Sequence, residues 1–446
     1  MRPGFAVALL IAIVGFAATA CDGGGTAGGG GSDGDTDGDG DTDVDADGDT
    51  DSDTDVDADG DTDSDTDVEP FGEIVIEQIY LPTFNLGEAI LIVGPDGTSV
   101  LVDTANDSHA PNVIEAIERR TGERRIDWAI ITHYHNDHIG GFDNLFAPAA
   151  ANGNDPVELS KGLITRGMVD IATDTVGVED FDEMCEMMAG GDLHDKRIDM
   201  CEGTQYACDG SEAGAPWEGS GCDGLLLGDL EDPSDDGEGR LSYISLGGGA
   251  RLYLFQANGH VALDGEVIYA NDEGLSIGHG ATYPENARSL GGAVRWGDFT
   301  YVFNGDTPGE NPDMEGFIAD RAADLVVEEG GDVMHLSHHG LDTSTSQGWI
   351  DWLFPADGSS RNAAVGTTSM YYHSPAQGLL DRLAPRLAEG YIWTTALGIM
   401  PGSHARLKIA DGAVEVLAET GGTGYRVSTI GAGGQSPPES YTSTGE

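Results

Sequence analysis

From residue 73 onward, apolar and polar positions fall into short blocks with two different periods. "EIVIEQIYL" (73–81), "EAILIVG" (88–94) and "SVLVDTA" (99–105) read as strands, and "PDGT" between the last two predicts a hairpin. In "APNVIEAIERRTG" (110–122), Val113, Ile114 and Ile117 recur at helical spacing, and the apolar run "DWAIITH" (127–133) predicts a buried strand. Strand, hairpin, helix, strand points to an α/β sheet that carries chemistry at its strand ends. Further strands are expected in "RLSYISLGGGARLYLFQ" (240–256), "GAVRWGDFTYVFNGD" (292–306), "DVMHLSHHG" (332–340), "YIWTTALG" (391–398) and "HARLKIADGAVEVL" (404–417). Helices are expected near "EGFIADRAA" (315–323) and "QGLLDRLAPRLA" (377–388). Residues 73–430 thus form the expected folded domain, with 175–238 as an insertion and the Pro-, Gly- and Ser-rich 431–446 as a disordered tail.

The first 72 residues have neither period. Arg2, the stretch "FAVALLIAIVGFAA" and the small residues Ala18, Thr19 and Ala20 give 1–20 the layout of a secretory signal, and its apolar run is short for a membrane span. Cys21 follows at the expected cleavage point and resembles the lipobox of bacterial lipoproteins, so lipid attachment is expected there; ordinary cleavage would instead leave a secreted chain. Residues 21–72 are Gly- and Asp-rich, repeat "VDADGDTDSDTD" at 44–55 and 56–67, and can bury no core. They read as an extended tether from a membrane surface. "DVDADG" matches the first half of a calcium loop, but Thr54 stands where the bidentate Glu belongs, so only weak, nonspecific divalent binding is expected.

Composition narrows the partners. The net charge is −60, of which the 18 aspartates at alternate positions from Asp33 to Asp67 supply less than a third, and only three lysines occur. An extended basic surface for nucleic acid is therefore not expected, and a small phosphodiester, single-stranded nucleic acid or other small ester substrate would be held by metals and local arginines. Four cysteines cluster in the insertion: Cys185, Cys201, Cys208 and Cys222. In an oxidising compartment two disulfides are expected, in any of three connectivities. The sequence sets no oligomeric state.

The densest chemistry lies in "ITHYHNDHIGG" (131–141), where His133, His135, Asp137 and His138 crowd the end of a predicted strand. Histidines two apart in extended chain face one side, and four nitrogen and oxygen donors so close together suit zinc, with room for a second cation. This stretch resembles the His-x-His-x-Asp-His signature of the metallo-β-lactamase fold hydrolases. "VLVDTA" places Asp103 at that fold's upstream aspartate, "VFNGD" places Asp306 at its bridging carboxylate, and "LSHHG" places His338 and His339 at its last histidine motif. "GEAILIVGPDGTSVLVDT", "ENARSLGGAVRWGDFTYVFNGD" and "DVMHLSHHGLDTSTS" with "YYHSPAQGLLDRL" are further similar to the C-terminal domain of the ComEC-type DNA-uptake competence protein.

The resemblance implies an αββα sandwich with a disulfide-bearing insertion and metal-assisted hydrolysis of a phosphodiester by a metal-bound hydroxide. Carboxylic-ester, lactone or phosphocholine-ester hydrolysis, and a non-catalytic metal-containing scaffold, stay as alternatives. His133, His135 and Asp306 would hold one divalent cation; Asp137, His138, Asp306 and one of His338 and His339 would hold the other, with His339 preferred and His338 behind it. Asp137 and His373, the latter as general acid, would be catalytic, and Asp103 would orient a histidine. The family's third-motif histidine is missing: Glu285 and Asn286 occupy its place, with His260 and His279 as possible substitutes. One imidazole fewer moves the expected metal from zinc toward manganese or magnesium.

Overall fold

The computed structural model describes residues 72–444 except 83–84, 148–154, 168–177, 191–192, 194–195, 202–221, 233–239, 264, 278–283, 327–329, 367–372 and 432–433. The signal segment, the tether with Cys21, Cys208 and His279 lie outside the described residues. All the described structure lies within one unit, Thr66–Glu446.

Two sheets form that unit. The first runs in the order Gly434–Gln435, Gly424–Gly431, Gly412–Ala418, Ile74–Gln78, Ile90–Val93, Ser99–Val102, Arg125–Ile131, Glu158–Thr165 and Arg197–Asp199. The expected hairpin is present, with Val93 opposite Ser99 and a turn in which the Asp96 carboxylate accepts from the Thr98 N–H at 2.9 Å. The helix after it, Ala110–Thr121, starts on Pro111 and stops at Gly122, whose φ of 75° is open to glycine without Cβ strain. From Ser99–Val102 to Arg197–Asp199 the strands run parallel.

The second sheet centres on Ala250–Ala257, Gly291–Trp296, Phe299–Phe303, Val333–His335, Asn362–Val365, Ile392–Thr394 and Leu407–Ile409, parallel from Phe299–Phe303 onward. Strand alternation then sorts the side chains. Ile74, Ile76, Ile90, Ile92, Val100 and Val102 face the other sheet and share one core with Leu252, Leu254, Val294 and Tyr301. Val75, Leu91, Val93 and Leu101 face outward and pack on Val113, Ile117, Phe142 and Leu145 of the covering helices. The second sheet's outer helices contribute Ile318, Trp349, Leu353, Leu379 and Leu383 to the shared core. The result is an αββα sandwich, the metallo-β-lactamase fold, with a disulfide in its insertion.

The insertion is more structured than its composition predicts. It supplies the helix Val178–Gly190 and an edge strand to each sheet, Arg197–Asp199 to the first and Leu227–Asp229 to the second. Cys201 is bonded to Cys222 and both are buried; Cys185 is disulfide-bonded as well.

Two expectations need correction. The strand expected over 332–340 stops at His335, because His338, His339 and Gly340 all take positive φ and turn the chain. The tail is not wholly disordered: Gly434–Gln435 and Glu439–Thr442 both pair with Gly424–Gly431. Pairing the tail uses backbone groups that residue composition does not report, and the Tyr441 ring stacks on Tyr425 at 5.2 Å while the Thr444 N–H donates to Asp332 at 2.8 Å. Removing residues 434–446 should therefore destabilise the domain; if the lost packing is about 2 kcal/mol, the melting temperature of a domain this large falls by roughly 2–4 °C. An unchanged melting curve would show that these strands carry no stability.

Candidate metal centre

The site grows from the end of Arg125–Ile131. Extended chain through 132–135 turns His133 and His135 to one side, where His133 Nε2 and His135 Nδ1 stand 3.1 Å apart. Tyr134 points the other way: its hydroxyl donates to the Gly167 carbonyl at 3.1 Å, and the Arg166 guanidinium lies 4.2 Å from its ring centre. The short helix Asn136–Ile139 then brings His138 back over the strand ends. Gly141 lets this helix dock, since its N–H donates to the Ala105 carbonyl at 2.9 Å and a Cβ there would lie 2.3 Å from the Thr104 carbonyl oxygen.

Asp103 leaves its strand with φ of 61° and is buried. It accepts from the Thr132 N–H at 2.7 Å, the Thr132 hydroxyl at 2.8 Å and His138 Nδ1 at 2.7 Å. That bond fixes the His138 ring and leaves its Nε2 facing Asp306 Oδ1 at 3.2 Å. Asp306 follows the strand Phe299–Phe303 from the opposite sheet, so the centre sits on the seam between the two sheets. Its Oδ2 lies 3.8 Å from His133 Nε2, 3.7 Å from His339 Nε2 and 3.8 Å from His338 Nε2. His339 Nε2 also stands 3.2 Å from Asp137 Oδ2.

Sequence reasoning missed Glu88. Buried at the start of the second strand, it accepts through Oε1 from His335 Nε2 at 2.5 Å, Gln78 Nε2 at 3.2 Å and the Gly366 N–H at 3.2 Å, while Oε2 faces His339 Nδ1 at 3.3 Å. Asp103 behind His138 and Glu88 behind His339 are thus parallel arrangements. The available signal was a lone acidic residue directly ahead of an all-apolar strand.

Glu285 occupies a different role from a ligand. Its carboxylate grips the fully buried Arg166, at 2.8 Å from Nη2 to Oε1 and 2.9 Å to Oε2, and accepts from the Tyr134 N–H at 3.0 Å. It braces the histidine segment from behind. Asn286 is buried beside it, with its side-chain oxygen lacking a hydrogen-bond partner among the described residues. His260 lies elsewhere, next to the Cys201–Cys222 disulfide and stacked on Tyr269 at 4.3 Å. His373 is exposed, its Nδ1 within 3.1 Å of the Met400 carbonyl, and belongs to neither group of close ligand atoms.

Those groups are His133, His135 and Asp306, and Glu88, His138, Asp306 and His339, with Asp306 common to both. The donor set fits divalent cations on two grounds. Asp306 Oδ1 and His138 Nε2 are buried and face each other at 3.2 Å, with no other polar partner at either atom among the described residues. The close pairs His133–His135, His138–Asp306 and Asp137–His339 are 3.1–3.2 Å apart, near the edge of about 3.3 Å of a tetrahedron with bonds of about 2.0 Å. Burial opposes ionisation of Asp306, yet His138, His339 and His338 hold its pKa well below the carboxylate range. Burial likewise opposes charge on His138, and Asp306 and Asp103 hold its pKa well above the usual value.

A further buried carboxyl, Glu315, holds the loops around the centre. Glu315 accepts from the Ser346 N–H at 2.6 Å, the Thr345 N–H at 2.9 Å and the Ser337 hydroxyl at 2.8 Å. Burial pushes its pKa from 4.5 up to about 7. The fold therefore keeps a proton that the unfolded chain has lost, so its stabilising contribution is complete below about 4.5 and disappears as pH rises through about 7, on the order of 3 kcal/mol in all. Melting curves of wild type and Glu315→Gln from pH 5 to 8 check this: the wild type should lose more stability over that range, and parallel curves would refute it. For Glu88, Glu88→Ala should weaken divalent binding about 10- to 100-fold in metal titrations, with the fold retained by circular dichroism.

The model of the metallo-beta-lactamase superfamily matches residues 82–153, which include Glu88, Asp103 and the whole histidine motif. A hydroxyacylglutathione hydrolase of Acidiphilium cryptum (strain JF-5) is 43% identical over 56 residues, 13% of this chain and 21% of the relative, so the likeness spans about a fifth of that protein. Among solved structures, Tm1679, a metal-dependent hydrolase of the beta-lactamase superfamily, is 14% identical with a TM-score of 0.35, covering 72% of this chain and 95% of its own. Human tRNase Z, short form, is 12% identical with a TM-score of 0.31 over 76% and 96% of the two chains. A diphosphatase from the PhnP family is 12% identical with a TM-score of 0.32 over 77% and 98%. The match over residues 82–153 takes in Glu88, His133, His135 and His138 of the ligand set, while Asp306 and His339 lie outside it.

Proposed function

We propose that this chain is an exported, binuclear, metal-dependent phosphodiesterase. The observation that carries the reading is Asp306: one carboxylate common to two groups of buried or half-buried nitrogen and oxygen donors, the arrangement two cations in a shared hydrolytic site require. Divalent cations there supply Lewis acidity and activate water near neutral pH. The protein's own groups hold the donors in place: Asp103 orients His138, Glu88 orients His339, and Glu285 with Arg166 backs the strand end that carries His133 and His135. Zinc suits the imidazole-rich set, with manganese or magnesium as the oxygen-favouring alternatives.

Phosphodiester chemistry is favoured by the similarity of "ENARSLGGAVRWGDFTYVFNGD" and "DVMHLSHHGLDTSTS" to the ComEC-type domain. The chain's charge of −60 and the pairing of Arg166 and Arg288 with Glu285 favour a small phosphodiester over duplex DNA. The signal-like segment and Cys21 support a lipid-anchored enzyme at the cell envelope, held off the membrane by the acidic tether. A second reading, acyl ester or thioester hydrolysis, is favoured by the local 43% identity to a hydroxyacylglutathione hydrolase.

Assays of the purified chain on bis-p-nitrophenyl phosphate and on an acyl-glutathione thioester separate these readings. Turnover of the phosphodiester should disappear with chelator and return with zinc or manganese. Asp306→Asn should lower kcat by about a thousandfold or more, since it weakens both groups of ligands. Thioester turnover alone would move the assignment to the second reading, and no turnover of either by the metal-loaded chain would leave a non-catalytic scaffold.

A further inference from the structure

His133, His135 and Asp137 alternate along the motif with Tyr134 and Asn136, and both of these intervening side chains end against the insertion. Asn136 Nδ2 donates to Asp180 Oδ2 at 2.9 Å, and the Tyr134 ring lies 4.6 Å from the ring of Phe181. Asp180 and Phe181 are neighbours on the helix Val178–Gly190, which the insertion supplies. We infer that this helix is a clamp on the metal motif. Asp180 and Phe181 are positioning residues that set where His133, His135 and Asp137 stand, and so how tightly the centre holds a divalent cation. The inference rests on the reading of that centre as a metal site.

The pattern of the helix explains why it docks there. Phe181, Met184 and Cys185 recur at helical spacing and are buried in the outer core with Tyr134, Ile139 and Phe142, while Asp182, Glu183 and Glu186 are exposed. Cys185 is disulfide-bonded, so a covalent link secures the docked face. Asp180 precedes Phe181 and reaches Asn136, the first residue of the short helix that carries Asp137 and His138. The Asn136 amide is fixed at both ends, because its oxygen accepts from Asn106 Nδ2.

The insertion also holds Tyr134 at its other end. The Tyr134 hydroxyl donates to the Gly167 carbonyl, and Gly167 packs so closely on Cys201 that a Cβ there would lie 2.1 Å from the Cys201 carbonyl oxygen. Just before that point the insertion strand Arg197–Asp199 pairs with Glu158–Thr165. There Thr165 Oγ1 donates to Asp199 Oδ1 at 2.6 Å, and the Met200 N–H donates to the Thr165 carbonyl at 3.0 Å. Cys201 is bonded to Cys222. The insertion therefore meets Tyr134 at its ring through Phe181 and at its hydroxyl through Gly167, with a disulfide behind each contact. A working site keeps its donors within about 0.5 Å of the required geometry. With Tyr134 and Asn136 tied in this way, the insertion sets that tolerance for the donors between them.

Cobalt(II) titration of the full chain tests the clamp, read by the visible absorption of the bound ion and by competition with a chelating dye, with folding followed by circular dichroism. Asp180→Ala removes the acceptor for Asn136 and leaves every ligand in place; it should weaken cobalt binding about tenfold and alter the cobalt spectrum. Asp180→Asn, whose side-chain oxygen can still accept that bond, should keep both near the wild type. Asp182→Ala, on the exposed face of the same helix, should match the wild type. Phe181→Leu retains apolar bulk, removes the ring against Tyr134 and should also weaken binding; it carries the test if Asp180→Ala does not fold. Wild-type affinity and spectrum in the folded variant, with only a lower melting temperature, overturn the clamp and leave the metal centre intact. No cobalt bound by the wild type overturns both.

Discussion

A carboxylate buried at the seam between two sheets is the constraint around which this molecule is arranged. Asp306 comes from the second sheet, and the imidazoles that answer its charge come from both: His133 and His138 from the first, His338 and His339 from the second. An isolated buried charge would cost far more than a domain's net stability, so the sheets can close only in the register that brings these partners together. The apolar core of Ile92, Val102, Leu254 and Tyr301 supplies the driving force for closure, and the polar seam supplies the alignment. Compatibility with cations follows from the same arrangement, because groups that neutralise a buried carboxylate as imidazolium can present nitrogen lone pairs to a metal instead.

Holding that seam concentrates backbone strain at its edge. Asp103, His338 and His339 all take positive φ, and each is fixed by several hydrogen bonds or by a carboxylate behind it. Gly141 and Gly305 permit the close approaches between the turns, at Thr104 and Thr132 respectively. Strain at a ligand and absence of a β-carbon at its neighbour are two solutions to one problem, which is to pack the turns that carry Asp103, His138, Asp306 and His339 around one carboxylate.

Much of this was legible because it is local. The hairpin, the helix stopping at Gly122 and the spacing of His133, His135, Asp137 and His138 are set by residues within a dozen positions of one another. Glu88 was not legible, because its meaning depends on His335 and His339, about 250 positions away, and nothing in "GEAILIVG" announces them. Nor was the fate of Glu285: only the fold shows that its partner is Arg166, from the far end of the parallel strand Glu158–Thr165. The tail misled for a similar reason, since its strands form through backbone pairing with Gly424–Gly431 and its composition resembles a linker.

The position of Glu285 shows how the seam is backed where it has no imidazole. Its carboxylate spans the buried Arg166 and the Tyr134 N–H, so its charge is answered by a guanidinium from the neighbouring strand end rather than by a cation. Arg166 in turn lies 4.2 Å from the centre of the Tyr134 ring and donates to the Asn258 side chain, which follows a strand of the second sheet. The strand end that presents His133 and His135 is therefore held from one side by an ion pair that ties the two sheets together and faces the Asp306 carboxylate on the other.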